Sequence, residues 1–159
     1  MIQLKNVQKH YVMSSETIRA LDGITLSIKS GERIVLLGPS GSGKTTLLNC
    51  ISGLDNPTFG EYLFDGNPVA GNSEDLTTFR RKNVGYVFQF FNLLQDLTVL
   101  ENVLLIQELS GQHDVNRAKE VLSLVGLEGE MDRFPSEISG GQQQRVAIAR
   151  SIAKNPKLL

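Results

Sequence analysis

The chain reads as an α/β fold organised around one strand–loop–helix unit, with an antiparallel β layer in its first third and a helical subdomain inserted after Gln89. Three observations predict this. Residues 33–37, Arg-Ile-Val-Leu-Leu, form a short apolar run suited to a buried strand and lead directly into a glycine-rich loop and a helix. Before the loop, Ile24-Thr25-Leu26-Ser27-Ile28 alternates apolar with polar in the manner of a half-buried strand. From Thr98 onward the apolar residues recur at helical spacing.

The loop is the most specific feature of the chain. Gly38-Pro39-Ser40-Gly41-Ser42-Gly43-Lys44-Thr45 fits G-x-x-x-x-G-K-[ST] at every fixed position, the pattern of a phosphate-binding loop (Walker A). Its glycines let the backbone turn tightly and bring N–H groups close to phosphate oxygens, and the helix that opens near Gly43 aims the positive end of its dipole at the same anion. Lys44 adds a mobile full charge for the β- and γ-phosphates, and the Thr45 hydroxyl is placed to ligate Mg²⁺. The competing reading is a plain glycine-rich turn; the strand before the loop and the helix to Ser52 after it, stopped by Gly53, count against that.

The bulk composition bounds the rest. At 159 residues the chain is one domain, or a domain with a subdomain. Sixteen basic against seventeen acidic residues leave a formal charge of −1, which makes no electrostatic case for nucleic acid as a partner. The single cysteine, Cys50, excludes an internal disulfide and reads as a small buried thiol suited to a reducing cytosol. No uncharged apolar run approaches the roughly 18 residues of a membrane span, and residues 1–5 lack the apolar core of a signal peptide.

In chain order, Ile2, Leu4 and Val7 begin a strand, followed by a polar stretch over residues 10–20 in which Tyr11 stands as an aromatic. Glu61-Tyr62-Leu63-Phe64 runs into Asp65-Gly66, a hairpin-type turn. Phe79-Arg80-Arg81-Lys82 reads as a solvated basic face ahead of a compact strand, Val84-Gly85-Tyr86-Val87-Phe88, that ends at Gln89. A glutamine at a strand end beside a phosphate site can orient water and complete a metal shell. Thr98 leads into a helix carrying Val99, Val103, Leu104 and Ile106, with Gly111 past its end, and Asp114 caps a second carrying Val115, Ala118, Val121, Leu122 and Val125, closed by Gly126. Phe90-Phe91-Asn92-Leu93-Leu94 is either core of this subdomain or part of a groove for a short helix of another protein.

Ser139 is a natural N-cap for a helix whose apolar side is Val146, Ile148, Ala149, Ile152 and Ala153, and Asn155-Pro156 stops it. Gly140 and Gly141 in its first turn each cost about 1 kcal/mol of helix stability relative to alanine unless something must approach the backbone closely. A second phosphate group is one such object, and a glycine-softened N-cap is the alternative.

Taken together, the P-loop, Gln89 and Ser139-Gly140-Gly141-Gln142 resemble the nucleotide-binding subunit of an ABC transporter. The resemblance covers the whole chain and is strongest to the macrolide-export, lipoprotein-release and cell-division type, through Gly53-Leu54-Asp55, Phe88-Gln89-Phe90-Phe91-Asn92-Leu93-Leu94, Glu101-Asn102-Val103 and Gln142-Gln143-Gln144-Arg145-Val146-Ala147-Ile148-Ala149-Arg150. It implies a P-loop NTPase core and a division into a β layer with the P-loop core (1–89), a helical subdomain (90–140), and a signature helix with the start of a strand (141–159). It implies ATP and Mg²⁺ as cofactors, with Tyr11 stacking on adenine and Gly38, Pro39, Ser40, Gly41, Ser42, Gly43, Lys44, Thr45 and Thr46 around the nucleotide. Thr45 and Gln89 would attend the metal, and Lys44 and Gln89 would serve hydrolysis. Ser139, Gly140, Gly141 and Gln142 would contact ATP held on a second copy in a head-to-tail dimer.

The implied function is an ATP-binding subunit that powers a membrane export or release complex, cytoplasmic and peripheral on the inner face of the cell membrane beside a membrane-spanning permease subunit. The signature begins with Ile138 where the family usually has leucine. The family's strand ending in an Asp-Glu pair would start at Lys157-Leu158-Leu159 and lie beside the Gln89 strand, so the chain resembles the N-terminal two-thirds of such a subunit, truncated before that strand. Residues 1–159 alone are therefore expected to be unstable and not to hydrolyse ATP. Two rivals are a hydrolysis-dead ATP-binding module and another P-loop phosphotransferase; the second leaves the signature stretch without a role.

Overall fold

The computed structural model describes residues 1–14 and 16–159, and the chain divides into two compact units, Met1–Arg80 and Arg81–Leu159. The first unit carries a four-stranded antiparallel sheet of β1 (Ile2–Val12), β2 (Thr17–Ile28), β3 (Phe59–Phe64) and β4 (Asn67–Pro68), in the order β2-β1-β3-β4. β1 is interior to the sheet and begins with buried Ile2 and Leu4 alternating with exposed Gln3 and Lys5. A strict period of two would then send Val7 to the opposite face. Instead the pairing with β2 shifts register between Leu4 and Val7, Asn6 takes a left-handed φ of 50°, and Val7 returns to the core fully buried. Gly60 on β3 lies against this kink: a side chain there would run into the Lys5 and Asn6 backbone.

β1 and β2 are longer than their composition suggests. The polar stretch over residues 10–20 belongs to the hairpin joining them, with Tyr11 paired to Ile18 and Val12 to Thr17. The apolar residues of this end (Tyr11, Val12 and Ile18) are exposed, which is why no alternation marks the strands there. At the other end of the layer the Asp65-Gly66 turn forms as expected, with φ of 50° and 80°, the backbone of a type I′ hairpin.

Helix α1 (Lys44–Ile51) buries Leu47, Cys50 and Ile51 and packs on β2. Its C-terminus closes with two hydrogen bonds, Leu54 N–H to Asn49 O at 2.8 Å and Gly53 N–H to Cys50 O at 3.1 Å, while Gly53 sits at φ 70°. That is a Schellman ending, and it makes Gly53 the stop its position suggests. The buried Tyr62 hydroxyl donates to Ile51 O at 2.7 Å, tying β3 to the last turn of α1. Helix α2 (Ser73–Asn83) absorbs the basic cluster. Asn72 Oδ1 caps it by accepting from Glu74 and Asp75 N–H, and Phe79 turns inward to meet the rings of Tyr62 and Phe64 edge-on at 6.2 and 5.2 Å.

In the second unit, α3 (Val99–Leu109), α4 (Val115–Leu124) and α5 (Gly140–Ile152) pack on one another. Their start signals act as read: Thr98 and Glu101 form a capping box on α3, Asp114 Oδ1 accepts from Arg117 N–H at 2.9 Å on α4, and Ser139 pairs with Gln142 on α5. Val99, Val103, Ala118, Val121, Leu122, Val146, Ala147, Ala149 and Ala153 form one core, joined by Leu93, Leu127 and Ile138. Each fully buried valine or leucine here contributes about 1.5–3 kcal/mol over its exposed state.

The two strands expected at residues 33–37 and 84–88 are corrected by the structure. The first forms no ladder, and Ile34, Val35 and Leu37 are 50%, 77% and 88% exposed. The second makes a single parallel bridge, Val84 to Leu158, held by Gly85 N–H to Leu158 O at 2.7 Å and Leu158 N–H to Asn83 O at 2.9 Å. A strand exists only through its neighbours, and an apolar run states a preference without supplying a partner. The bridge thus joins Leu158, in the parallel sense, to the start of the segment that ends at Gln89.

Candidate functional site

The phosphate loop owes its shape to its glycines. Gly38, Gly41 and Gly43 have φ of 154°, 79° and 86°, a region that residues with a Cβ rarely enter, and Ser42 N–H turns back to Pro39 O at 3.3 Å. Gly43 is doubly constrained: it caps α1 in left-handed conformation, and a Cβ there would strike Ala20 O and approach Leu21 Cδ2 at 3.3 Å. The sheet and the loop thus meet at a position that only glycine fills. Helix hydrogen bonding begins at once, with Leu47 N–H to Gly43 O at 2.8 Å.

Lys44 reaches back across the loop. Its Nζ donates to Gly38 O at 2.9 Å, Pro39 O at 2.7 Å and Ser42 Oγ at 3.3 Å, so the ammonium stands inside the loop's curve, close to where the N–H groups of α1's first turn start. Thr45 is exposed and Thr46 half-buried on that same turn. The arrangement combines a positive helix end, a loop whose turns depend on glycine, a lysine and a hydroxyl, which is the equipment for holding a polyphosphate and a hard cation. Among the described residues no group of three or more His, Cys, Asp and Glu side chains is placed to hold a metal ion.

Tyr11 lies beside this loop. Its hydroxyl donates to Asp55 Oδ2 at 3.0 Å. Burial and the adjoining Asp55 carboxylate raise the phenol's pKa above its usual range. Lys9, two residues earlier on the same face of β1, places its ammonium 5.1 Å from the Tyr11 ring centre and donates to Asp55 Oδ1 at 2.5 Å and Asn56 O at 2.8 Å. Burial alone would push the Asp55 carboxyl upward, but the bonds from Lys9, Tyr11 and the Asn56 N–H outweigh it and hold the pKa below the ordinary carboxylate value. The Cys50 thiol is driven up to about 11 chiefly by burial, so at neutral pH it is protonated and inert.

The remaining candidates lie in the second unit. Gln89 is exposed, at the end of residues 84–88. Beyond it, Phe90 is 78% and Leu94 49% exposed, whereas Leu93 is buried and Phe91 packs on the helical core, so this apolar run is divided between core and surface. Arg150 near the end of α5 clamps the loop, with Nη1 donating to Asn92 O and Nη2 to Phe91 O, both at 2.6 Å, while Asn92 holds a left-handed φ of 51°. Burial lowers the Arg150 pKa, yet a guanidinium keeps its proton under any ordinary condition.

At the other end of α5, Ser139 Oγ accepts from Gln142 N–H at 3.3 Å and Gln142 Oε1 accepts from Ser139 N–H at 2.8 Å. Neither Gly140 nor Gly141 has positive φ, and an added Cβ would meet nothing within 4 Å at either. The fold itself does not require these two glycines. Lys9, Asp55 and Arg150 carry the polar bonds around these segments; Asp55 and Arg150 stand in the stretches that carry the resemblance, and Lys9 had no sequence signal.

A glycine-built phosphate loop closing on a lysine at the head of a helix, in a chain that also carries an antiparallel layer and a helical subdomain, defines a P-loop NTPase core. The chain belongs to the ABC transporter family, whose model matches residues 21–159. It is 46% identical over 164 residues to ABC transporter H family member 2 of Dictyostelium discoideum, covering 99% of this chain but only 32% of that protein, so it spans about a third of that relative's length. It is 44% identical over 170 residues to the lipoprotein-releasing system ATP-binding protein LolD 2 of Chlorobaculum tepidum, covering 100% of this chain and 68% of the relative. Among solved structures, the ATP-binding cassette MJ0796, as a post-hydrolysis dimer bound to ADP and Pi, superposes with a TM-score of 0.89 at 46% identity over 98% of this chain and 71% of its own.

Proposed function

We propose that the chain is an ATP-binding subunit of an ABC-type export or release system, working through ATP binding and hydrolysis at a dimer interface. The observation that carries this is the phosphate loop: three glycines in left-handed backbone, Lys44 within the curve and Thr45 on the first helical turn, in a chain of this family. Lys44 and the loop N–H groups would hold the β- and γ-phosphates, Thr45 would ligate Mg²⁺ with Gln89 completing its surroundings, and Tyr11 would stack on adenine.

The Ser139-Gly140-Gly141-Gln142 turn would close on ATP held by a second copy. Two observations support that reading: the two glycines have no internal requirement, and one relative of similar sequence, MJ0796, is dimeric in two solved structures. ATP would then hold two subunits face to face and hydrolysis release them, a ligand-driven population shift passed to membrane-spanning partners. Among the described residues no helix is long and apolar enough to cross a membrane, which suits a subunit that docks peripherally on a permease from the cytoplasmic side, with exposed Phe90 and Leu94 as part of the docking face. Relatives named for lipoprotein release point to the same class of machine.

No Asp-Glu dipeptide occurs in these 159 residues. By the family resemblance the water-activating carboxylate would belong to such a pair, and we expect residues 1–159 alone to bind nucleotide without turning it over. Titration with Mg·ATP, alongside phosphate release, tests both parts. Saturable binding without turnover is the expected result; absent binding in a folded chain would overturn the assignment, and sustained phosphate release would show that another carboxylate activates the water.

A further inference from the structure

Asp55 sits just past the Schellman ending of α1 and belongs to none of the phosphate, metal or signature contacts. Its two oxygens are nevertheless both engaged. Oδ1 accepts from Lys9 Nζ at 2.5 Å and from Asn56 N–H at 2.9 Å, and Oδ2 accepts from the Tyr11 hydroxyl at 3.0 Å. The carboxylate is 31% exposed and the Lys9 side chain 12%, so their ion pair is shielded far more than a surface pair. Lys9 occupies one side of the Tyr11 ring at 5.1 Å, while Tyr11 itself remains 38% exposed.

Without Asp55, Tyr11 would stand near the tip of a β-hairpin whose neighbours Val12 and Met13 are 84% and 57% exposed, with little apolar packing to choose its rotamer. We propose that Asp55 is a positioning residue of the base site: through Lys9 on one oxygen and the Tyr11 hydroxyl on the other, it fixes the Tyr11 ring beside the phosphate loop with one side open to the adenine of ATP. This rests on the reading that Tyr11 stacks on adenine.

The physical reason is preorganisation. A ring already held in its bound rotamer forfeits no side-chain entropy when the base arrives, and a cation behind the ring adds attraction without blocking its free side. Asp55 thereby links the end of α1 to the base, while the start of α1 holds the phosphates.

The test compares affinities for Mg·ATP and for Mg·tripolyphosphate, which has the phosphates but no base, across the chain and its Asp55→Asn, Tyr11→Phe and Tyr11→Ala variants. Asp55→Asn and Tyr11→Phe are each expected to weaken ATP about three- to fivefold, within the range of an aromatic stacking contribution, while leaving tripolyphosphate unchanged. The double variant should lose no more than either single one, because both remove the same tether. If Tyr11→Ala weakens ATP but Asp55→Asn and Tyr11→Phe do not, the positioning role is overturned and stacking stands. If Tyr11→Ala leaves ATP affinity unchanged, the stacking reading itself fails and the proposal with it. A loss of tripolyphosphate affinity in folded Asp55→Asn would also overturn it, by showing that Asp55 shapes the phosphate loop instead. Should Asp55→Asn not fold, Tyr11→Phe decides alone, and an ATP affinity equal to that of the unaltered chain overturns the proposal.

Discussion

Lys44 places its full charge inside the curve of the phosphate loop, anchored by two loop carbonyls and a hydroxyl. Charge-assisted hydrogen bonds of this kind are worth about 1.5–3 kcal/mol each, so Lys44→Ala should weaken Mg·ATP binding at least about tenfold with the melting temperature little changed. Isothermal titration and a thermal scan on the same sample check it, and unchanged affinity would remove Lys44 from the site. Asp55 makes a pH prediction of definite sign. Its folded pKa lies below the ordinary 3.8, so its share of stability is fully present above that value and is lost as pH falls from there through the folded pKa. Acid unfolding of Asp55→Asn should therefore be less steep below pH 3.8 than that of the unaltered chain.

At the scale of elements, two kinds of glycine behave oppositely. Gly43 caps α1 in left-handed conformation against the Ala20–Leu21 stretch of β2, with no room for a Cβ. Gly43→Ala should destabilise the fold by about 1–3 kcal/mol, measured by denaturant unfolding. Gly140 and Gly141 open α5 with room to spare, so alanine at either should raise stability by a few tenths to about 1 kcal/mol while impairing nucleotide-dependent dimerisation. A variant that is more stable yet still dimerises with Mg·ATP would argue that these glycines serve nothing outside the helix. Helices with strong caps were legible in advance: Thr98, Asp114 and Ser139 each start the helix their sequence announces. Helix α2 was missed because Phe79-Arg80-Arg81-Lys82 advertises charge, although Asn72-Ser73-Glu74-Asp75 is a legible cap with an acidic first turn. Phe79, in its last turns, is an aromatic core contact that the neighbouring charges disguise.

For the molecule as a whole, apolar surface is unevenly covered. β1 is paired on both sides, whereas residues 33–37 form no ladder and leave Val35 and Leu37 largely exposed. Amide exchange should be slow through Ile2 and Leu4 and fast through residues 33–37, since only the former amides lie in a doubly flanked strand. Hydrogen-exchange mass spectrometry resolves the two segments, and equal protection would mean that the segment before the phosphate loop is held by contacts other than a sheet. Exposed branched residues next to unpaired backbone also make this segment the expected starting point for aggregation of residues 1–159 expressed alone.

The phosphate loop, its helix, the caps of three later helices and the division between an antiparallel layer and a helical subdomain were determined by local sequence alone. Each depends on contacts within a few residues: a glycine where φ is positive, a hydroxyl or carboxylate over the first turn, apolar side chains on one face. Tertiary structure alone decided what depends on partners distant in the chain. It decided that β1 runs on through Tyr11, because a hairpin supplies the pairing that composition conceals. It decided that the apolar run before the phosphate loop forms no ladder, because a strand requires a neighbour. It also decided that Asp55, forty-four residues after Tyr11, holds both Tyr11 and Lys9, since a side chain's hydrogen-bond partners across the fold follow from chain geometry that no local pattern encodes.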